Sequence, residues 1–138
     1  MHRNGFTLIE LITVLLIVAI ISVYVGNRFS SIDSNLSSGR DDLIAALFFA
    51  QQIAMSRDSA ANPITFVTSG AAIDVQASGA SLSSAGVQYP VVLSNGVTVS
   101  PAVTLAYNKM GETTATVFTL SHDGASTQVT VEASGYVH

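Results

Sequence analysis

The sequence predicts an α+β fold, in which a long N-terminal helix packs through its second half on an antiparallel β-sheet domain. Two observations predict this class. Apolar residues are concentrated near the N-terminus and then recur at helical spacing along the next stretch of chain. From Pro63 onward they alternate with polar residues, which is the period of a half-buried strand.

The first element is an apolar run from Phe6 to Val25, in which 16 of 20 residues are apolar. A helix of 20 residues spans about 30 Å, the thickness of the hydrocarbon core of a bilayer. A fully buried core helix needs a larger interior than the 113 remaining residues provide. A secretory signal peptide has a shorter apolar stretch and a small-residue cleavage site, whereas Tyr24–Arg28 is a poor one. We therefore predict a transmembrane helix over residues 6–25.

Glu10 is the one charged residue inside this run. An unpaired carboxylate in hydrocarbon costs several kcal/mol and usually marks a functional position. Because Glu10 lies near the start of the run, the alternative is that it is simply solvated at the membrane interface.

Met1-His2-Arg3-Asn4-Gly5 stands before this run, which opens with Phe6 and carries Glu10 five residues after Gly5. This arrangement resembles the class III signal of type IV pilins and of the pseudopilins of type II secretion systems. In that family a prepilin peptidase cuts after the glycine and methylates the new N-terminal phenylalanine. The resemblance implies a leader of residues 1–5, cleavage between Gly5 and Phe6, and N-methylation of Phe6.

The same resemblance implies how such a chain works. In a stack of subunits, Glu10 of one chain faces the Phe6 α-amine of its neighbour, which gives each charge a partner and fixes the register. The implied partners are the prepilin peptidase, other pilin or pseudopilin subunits, the inner membrane and its assembly platform. The implied location is a single pass through the inner membrane with a periplasmic C-terminal domain, and later a cell-surface pilus or a periplasmic pseudopilus.

Residues 26–61 are predicted to extend the helix as an amphipathic segment that ends near Arg57–Ala61, before Asn62-Pro63. Arg40 occupies the position missing from its apolar stripe. Gly26 and Gly39 each weaken a helix by up to about 1 kcal/mol, so we expect a bend or an interruption between them, with a possible restart cap at Ser38. The stripe comprises Phe29, Ile32, Leu36, Leu43, Leu47, Ala50 and Ala54.

Residues 62–138 are predicted to form the β domain. Ser69-Gly70, Asn95-Gly96 and Asp123-Gly124 are hairpin-type turn signals, and Ser78–Gly86 reads as a loop of small residues. The predicted strands are Ile64–Thr68, Ala72–Ala77, Val87–Leu93, Val97–Ser100, Val103–Tyr107, Thr114–Leu120 and Gln128–Ala133.

Two further segments narrow the resemblance. Leu43–Arg57, followed by Ile64–Val67, looks like the helix-to-strand junction of the minor pseudopilin H and minor pilin U/T group, and Phe118–Val137 is similar to the closing hairpin and glycine of that group. The chain has no cysteine for the C-terminal disulfide of many major pilins, which favours a minor subunit. Within the group it looks most like minor pilins of mannose-sensitive haemagglutinin pili.

Other function classes are disfavoured. The formal net charge is −4, and Lys109 is the only basic residue after Arg57, so the chain is a poor match for nucleic acid. No hydrolase, zinc-protease or phosphate-loop motif accompanies His122 or His138.

The acidic residues are interpreted as solvated or capping groups, and no calcium-loop spacing surrounds the one nearest a turn. These residues are Asp41, Asp42, Asp123 and Glu132. We therefore predict a protein that is not an enzyme and has neither cofactor nor metal. It is either an assembly subunit of a filament or a binding module at a filament tip.

Overall fold

The computed structural model describes residues 7–57, 61–84 and 86–138, without the side chains of residues 25–32, 84 and 95. Helix α1 runs from Leu8 to Ser56, with Thr7 as its N-cap and Arg57 as its C-cap. At 1.5 Å per residue, its 49 residues extend over roughly 70 Å.

In the described part of the chain, ten short strands follow the helix and pair in three antiparallel sheets. The first sheet has the order β3-β2-β1-β8, with β6 also paired to β2; the second has the order β10-β9-β7, and β4 pairs with β5. The strands are β1 Ile64–Ser69, β2 Ala72–Ala77, β3 Ala80–Ser81, β4 Ser83–Ser84, β5 Val87–Gln88, β6 Val91–Val92, β7 Thr98–Ser100, β8 Thr104–Tyr107, β9 Thr116–His122 and β10 Ala125–Val131.

The core lies between α1 and the two larger sheets, and the helix contacts strands of both. Phe66 of β1 meets Phe118 of β9 edge to face, with ring centroids 5.7 Å apart, so the two sheets share one apolar interior. The predicted α+β class, a helix packed on an antiparallel sheet domain, is confirmed. The buried face of α1 comprises Leu36, Gly39, Leu43, Ala46, Leu47, Ala50 and Ala54.

Gly39 is a packing position on this face. A Cβ atom there would lie 3.2 Å from Cγ1 of Val97 and 3.3 Å from Cδ2 of Leu120, both buried. The missing side chain therefore lets the helix approach the sheets closely. The stripe position assigned to Arg40 belongs to Gly39, and the assignment to Arg40 is wrong.

The interruption considered between Gly26 and Gly39 does not occur, because α1 is helical without a break there and needs no restart at Ser38. A gentle bend in this stretch stays a prediction. At Gly39, packing of the apolar face on the sheets outweighs the weak helix propensity of glycine. The helix ends at Ser56, just before the predicted range. The side chains of Phe29 and Ile32 lie outside the described residues, so their place in the stripe stays a prediction.

Two of the turn predictions are confirmed. Ser69 pairs with Ala72 across the two-residue loop between β1 and β2. At the tip of β9 and β10, Asp123 and Gly124 have φ values of 46° and 84°. A type I′ hairpin turn requires a positive φ at both of these positions.

The middle of the β domain was predicted less well. The single strand expected over Val87–Leu93 is divided into β5 and β6 around Tyr89-Pro90, where proline offers no N–H for a ladder. Asn95-Gly96 does not close a hairpin, because the 3₁₀ turn Ser94–Gly96 carries the chain from the first sheet to the second. The loop expected over Ser78–Gly86 contains β3 and β4.

The C-terminal tail is tied to the edge of the second sheet. Val137 forms a bridge with Val131, and Thr130 and His138 exchange two backbone hydrogen bonds of 2.8 and 3.0 Å. Gly135, in the turn before the bridge, donates its N–H to the carbonyl of Glu132 at 2.9 Å. The tail is therefore part of the folded domain.

Candidate functional site: the N-terminal segment of the helix

The predicted cleavage site lies outside the described residues, since the structure begins at Thr7. Cleavage between Gly5 and Phe6 and methylation of Phe6 therefore stay predictions. The described part of the site is the first half of α1, including Glu10.

Glu10 lies exposed in the first turn of α1, where it also takes part in the N-cap. The hydroxyl of Thr7 accepts a hydrogen bond from the Glu10 N–H at 3.4 Å and donates to Oε2 of Glu10 at 3.5 Å. This reciprocal contact is a variant of the capping box, and a carboxylate in the first turn is also favoured by the helix dipole. The Thr-x-x-Glu pattern of Thr7 and Glu10 is the sequence signal of this cap, which the sequence analysis did not predict.

All large apolar side chains from Leu8 to Tyr24 are exposed, with between 49% and 76% of each side chain accessible. These residues surround the helix on every side, so they do not form one face that a single sheet or helix would cover. Monomeric soluble proteins rarely expose apolar patches larger than a few hundred Å². The segment is therefore a surface for association with other apolar material.

The hydroxyls inside this segment have partners within the helix. Thr13 donates to the carbonyl of Ile9 and Ser22 donates to the carbonyl of Val18, each at 2.8 Å. Such bonds to the residue four positions earlier satisfy a hydroxyl without water. Glu10 is the one charged side chain from Leu8 to Tyr24.

Within the ranges that the structure describes, no helix reaches both the length and the apolar character needed to cross a membrane.

The two histidines of the β domain have different neighbours. Nε2 of His122 lies 3.4 Å from Nδ2 of Asn35 on the helix and 3.9 Å from Oδ2 of Asp123. His138 stacks on Tyr136, with ring centroids 5.5 Å apart. Among the described residues, no three His, Asp or Glu side chains are grouped as metal ligands would be. Asp123 itself is exposed at the hairpin tip.

Two open grooves on the described surface are lined about equally by polar and apolar atoms. The larger, about 540 Å³, runs between Ala106 of β8 and Ser134 of the tail, and its one carboxylate, Glu112, accepts a hydrogen bond from Asn108 at 2.7 Å. The second, about 320 Å³, lies between Arg40 of α1 and the start of β10. Neither is lined by a histidine.

Tyr107 places a polar atom inside the core. Its side chain is buried, and among the described residues its hydroxyl has no hydrogen-bond partner. Burial raises the pKa of Tyr107 to about 12 from its ordinary value of 10.0. Burial also raises the pKa of Tyr89, assisted by the negative charge of Asp42.

Replacing Tyr107 by phenylalanine tests this environment. Burial favours the neutral phenol, so ionisation of Tyr107 opposes folding. The free energy of unfolding is therefore unaffected by this group below pH 10 and falls as the pH rises from about 10 through about 12. The native protein should lose up to about 2–3 kcal/mol more than Tyr107→Phe over this window. Urea midpoints for both proteins at pH 8 and above pH 11 measure the difference. Identical losses would show that the phenol is solvated in the folded protein.

No curated protein and no solved structure matches this chain. Residues 1–25 match the family model described as the prokaryotic N-terminal methylation motif. The matched residues include the predicted cleavage site, Gly5 and Phe6, together with Glu10 and the whole exposed segment from Leu8 to Tyr24. The N-terminus therefore carries the methylation motif of type IV pilin and pseudopilin precursors.

Proposed function

We propose that this chain is the precursor of a minor type IV pilin, which joins or primes a filament through its N-terminal helix. The observation that carries the proposal is the methylation motif of residues 1–25, within which all the large apolar side chains from Leu8 to Tyr24 are exposed on a helix. A helix that is apolar all round needs an apolar environment. Hydrocarbon before assembly, and neighbouring helices after it, both provide one.

In this proposal the prepilin peptidase removes residues 1–5 and methylates Phe6, and residues 6–25 anchor the mature chain in the inner membrane. Two residues of the proposed span, Phe6 and the side chain of Val25, lie outside the part that the structure describes. The β domain then lies in the periplasm until the subunit enters a cell-surface pilus. The assembly platform of the inner membrane delivers it there.

Glu10 is proposed to pair with the Phe6 α-amine of a neighbouring subunit. Three features support this role: its carboxylate is exposed, it is the only charge in the apolar segment, and the hydroxyls of Thr13 and Ser22 in the same segment are bonded within the helix. A buried charge that lacks a partner is strongly unfavourable, so the pair would also fix the register between subunits.

The same motif fits a minor pseudopilin of a type II secretion system, which is the second candidate. The absence of cysteine supports a minor over a major subunit. The narrower likeness to minor pilins of mannose-sensitive haemagglutinin pili rests on the sequence resemblance, as does the alternative of a binding module at the filament tip. Genes for pilus or for secretion proteins beside this gene would separate the two machines.

Replacing Gly5 by leucine should block cleavage, because the bulk of the side chain lies directly at the scissile bond. The unprocessed chain then keeps residues 1–5. Processing of the native chain should remove Arg3 and change the formal charge from −4 to −5, with four basic and nine acidic residues left. Intact mass of the protein in the membrane fraction measures both outcomes.

Gly5→Ala is the matched control and should be cleaved, since it adds a single methyl group. A mature N-terminus at any residue other than Phe6, or unchanged cleavage of Gly5→Leu, would contradict the pilin proposal.

A further inference from the structure

Four large apolar side chains are exposed beside the C-terminal end of α1, far from the N-terminal segment. They are Phe48 and Met55 of the helix, Met110 in the turn after β8, and Tyr136 of the tail; we refer to them as the Met110 patch. The accessible fractions are 46%, 48%, 77% and 60%, respectively. Burial in the subunit's own core does not account for any of these side chains.

The patch is assembled around one close junction. Nε2 of Gln51 donates to the carbonyl of Gly111 at 3.1 Å and to that of Ser134 at 3.3 Å. A Cβ atom at Gly111 would lie 3.1 Å from Sδ of Met55, and one at Gly135 would overlap the carbonyl oxygen of Gly111. The helix, the turn that carries Met110 and the tail that carries Tyr136 are therefore in direct contact.

The turn that presents Met110 is itself fixed by hydrogen bonds. Oδ1 of Asn108 accepts from the N–H groups of Met110 and Glu112, both at 2.9 Å, and the N–H of Gly111 donates to the Asn108 carbonyl at 3.0 Å. Met110 is thus held outward by an ordered turn. Exposed apolar groups on an ordered support are a feature of protein contact surfaces.

The size of the patch limits what it binds. Four partly exposed side chains provide a few hundred Å², whereas a stable interface between freely diffusing proteins buries about 800 Å² on each partner. The patch is therefore too small to hold a partner from solution by itself. It is sufficient for a partner already kept close by anchoring in the same membrane, where the effective concentration is high.

The charges around the patch are self-complementary. Lys109 and Glu112 flank Met110 and Gly111 in the chain, and both are exposed. Lys109 is the only Lys or Arg after Arg57, so the one such charge of the β domain stands at the edge of its apolar patch. In a twofold contact about Met110, Lys109 of each copy would lie near Glu112 of the other, whose Oε2 also accepts a hydrogen bond from Asn108 at 2.7 Å.

We propose that the Met110 patch docks on the same patch of a second copy of this chain, in a parallel pair anchored side by side. This inference rests on the proposed function, because it needs both copies in one membrane. Copies anchored in parallel hold their patches at the same height, and a twofold axis along the helices brings identical surfaces together. The pair is a state of the membrane-bound subunit before it enters a filament.

Cysteine crosslinking of the full-length chain in its membrane tests this contact, since the sequence has no cysteine of its own. Met110→Cys, treated with a copper–phenanthroline oxidant that accepts the two thiol electrons, should form a disulfide-linked dimer. Val92→Cys is the control, because Val92 is also exposed (68%) but lies on β6 in the first sheet. It should remain monomeric.

A second pair of variants tests the charges in the Met110→Cys background. Lys109→Glu should reduce the dimer by about threefold or more, since it opposes like charges across the contact, whereas Lys109→Arg should retain it. Equal crosslinking of Met110→Cys and Val92→Cys would indicate random collision and overturn the proposal. A crosslink of Met110→Cys to a different protein would overturn the second copy as the occupant.

Intact mass and membrane retention are measured on the same samples. A chain that is cleaved before Phe6 and retained in the membrane, yet forms no dimer, contradicts the Met110 contact and leaves the proposed function intact. A chain that is neither cleaved nor retained contradicts the proposed function itself.

Discussion

Replacing Gly135 by alanine should destabilise the β domain by about 3 kcal/mol or more. The backbone of Gly135 has a φ of +80°, which is unfavourable for any residue with a side chain. The added Cβ would in addition overlap the carbonyl oxygen of Gly111 and Nε2 of Gln51. Relieving that overlap requires a backbone shift that separates the tail from the helix. Urea unfolding of the full-length protein in detergent measures the loss.

Gly124→Ala separates the two causes. Gly124 has a similar φ of +84° at the tip of the β9–β10 hairpin, but no atom lies within 4 Å of the position that a Cβ would take. This variant should lose only about 1 kcal/mol, the cost of the strained backbone alone. Similar losses for both variants would mean that the overlap of the added Cβ with Gly111 adds nothing to the cost of the strained backbone.

The contact between Gly135, Gly111 and Gln51 could not be predicted from the sequence. The closing glycine was recognised from a family resemblance, but the chain gives no local sign that Gly135, Gly111 and Gln51 meet. These residues belong to three elements that are distant in sequence, and their contact depends on how the sheets pack on the helix. The Met110 patch depends on the same contact, so it could not be predicted from the sequence either.

Gly39 shows the opposite case, a local rule that the tertiary structure overrides. Helix propensity counts glycine as a weak point, which led to the expected interruption of α1. The packed face needs a residue without a Cβ at this position, beside Val97 and Leu120. The helical period of the apolar residues was the stronger signal, and it predicted both the helix and most of its buried face.

The hairpin predictions were correct where the glycine turn joins two strands of the same sheet, as at Asp123-Gly124. The prediction failed at Asn95-Gly96, where similar turn residues lead from one sheet to the other. Local turn chemistry specifies the bend, while the sheet that each strand joins is decided by long-range pairing. The fold class was therefore accessible from the sequence, but the division into sheets was not.

Replacing Glu10 tests assembly separately from export. If Glu10 neutralises the Phe6 α-amine of a neighbour, Glu10→Ala should still be inserted and cleaved after Gly5, but it should fail to join filaments. Loss of one partner of a buried ion pair costs about 3–5 kcal/mol, and an interfacial pair costs less. A loss of about 3 kcal/mol reduces association by roughly two orders of magnitude. The measurement is the amount of subunit in sheared filaments, relative to processed protein in the membrane.

Glu10→Ala also removes part of the N-cap, because Glu10 contacts Thr7 there. Two further variants therefore serve as controls. Glu10→Gln keeps a side chain that serves in a capping box and removes only the charge. Thr7→Ala removes the cap and keeps the carboxylate, at a cost of about 1 kcal/mol to the helix end. If the ion pair controls assembly, Glu10→Gln behaves like Glu10→Ala, and Thr7→Ala is incorporated almost normally. If instead Glu10→Gln is incorporated like the native chain while Thr7→Ala is lost, the carboxylate serves the helix cap and the proposed pairing with Phe6 is wrong.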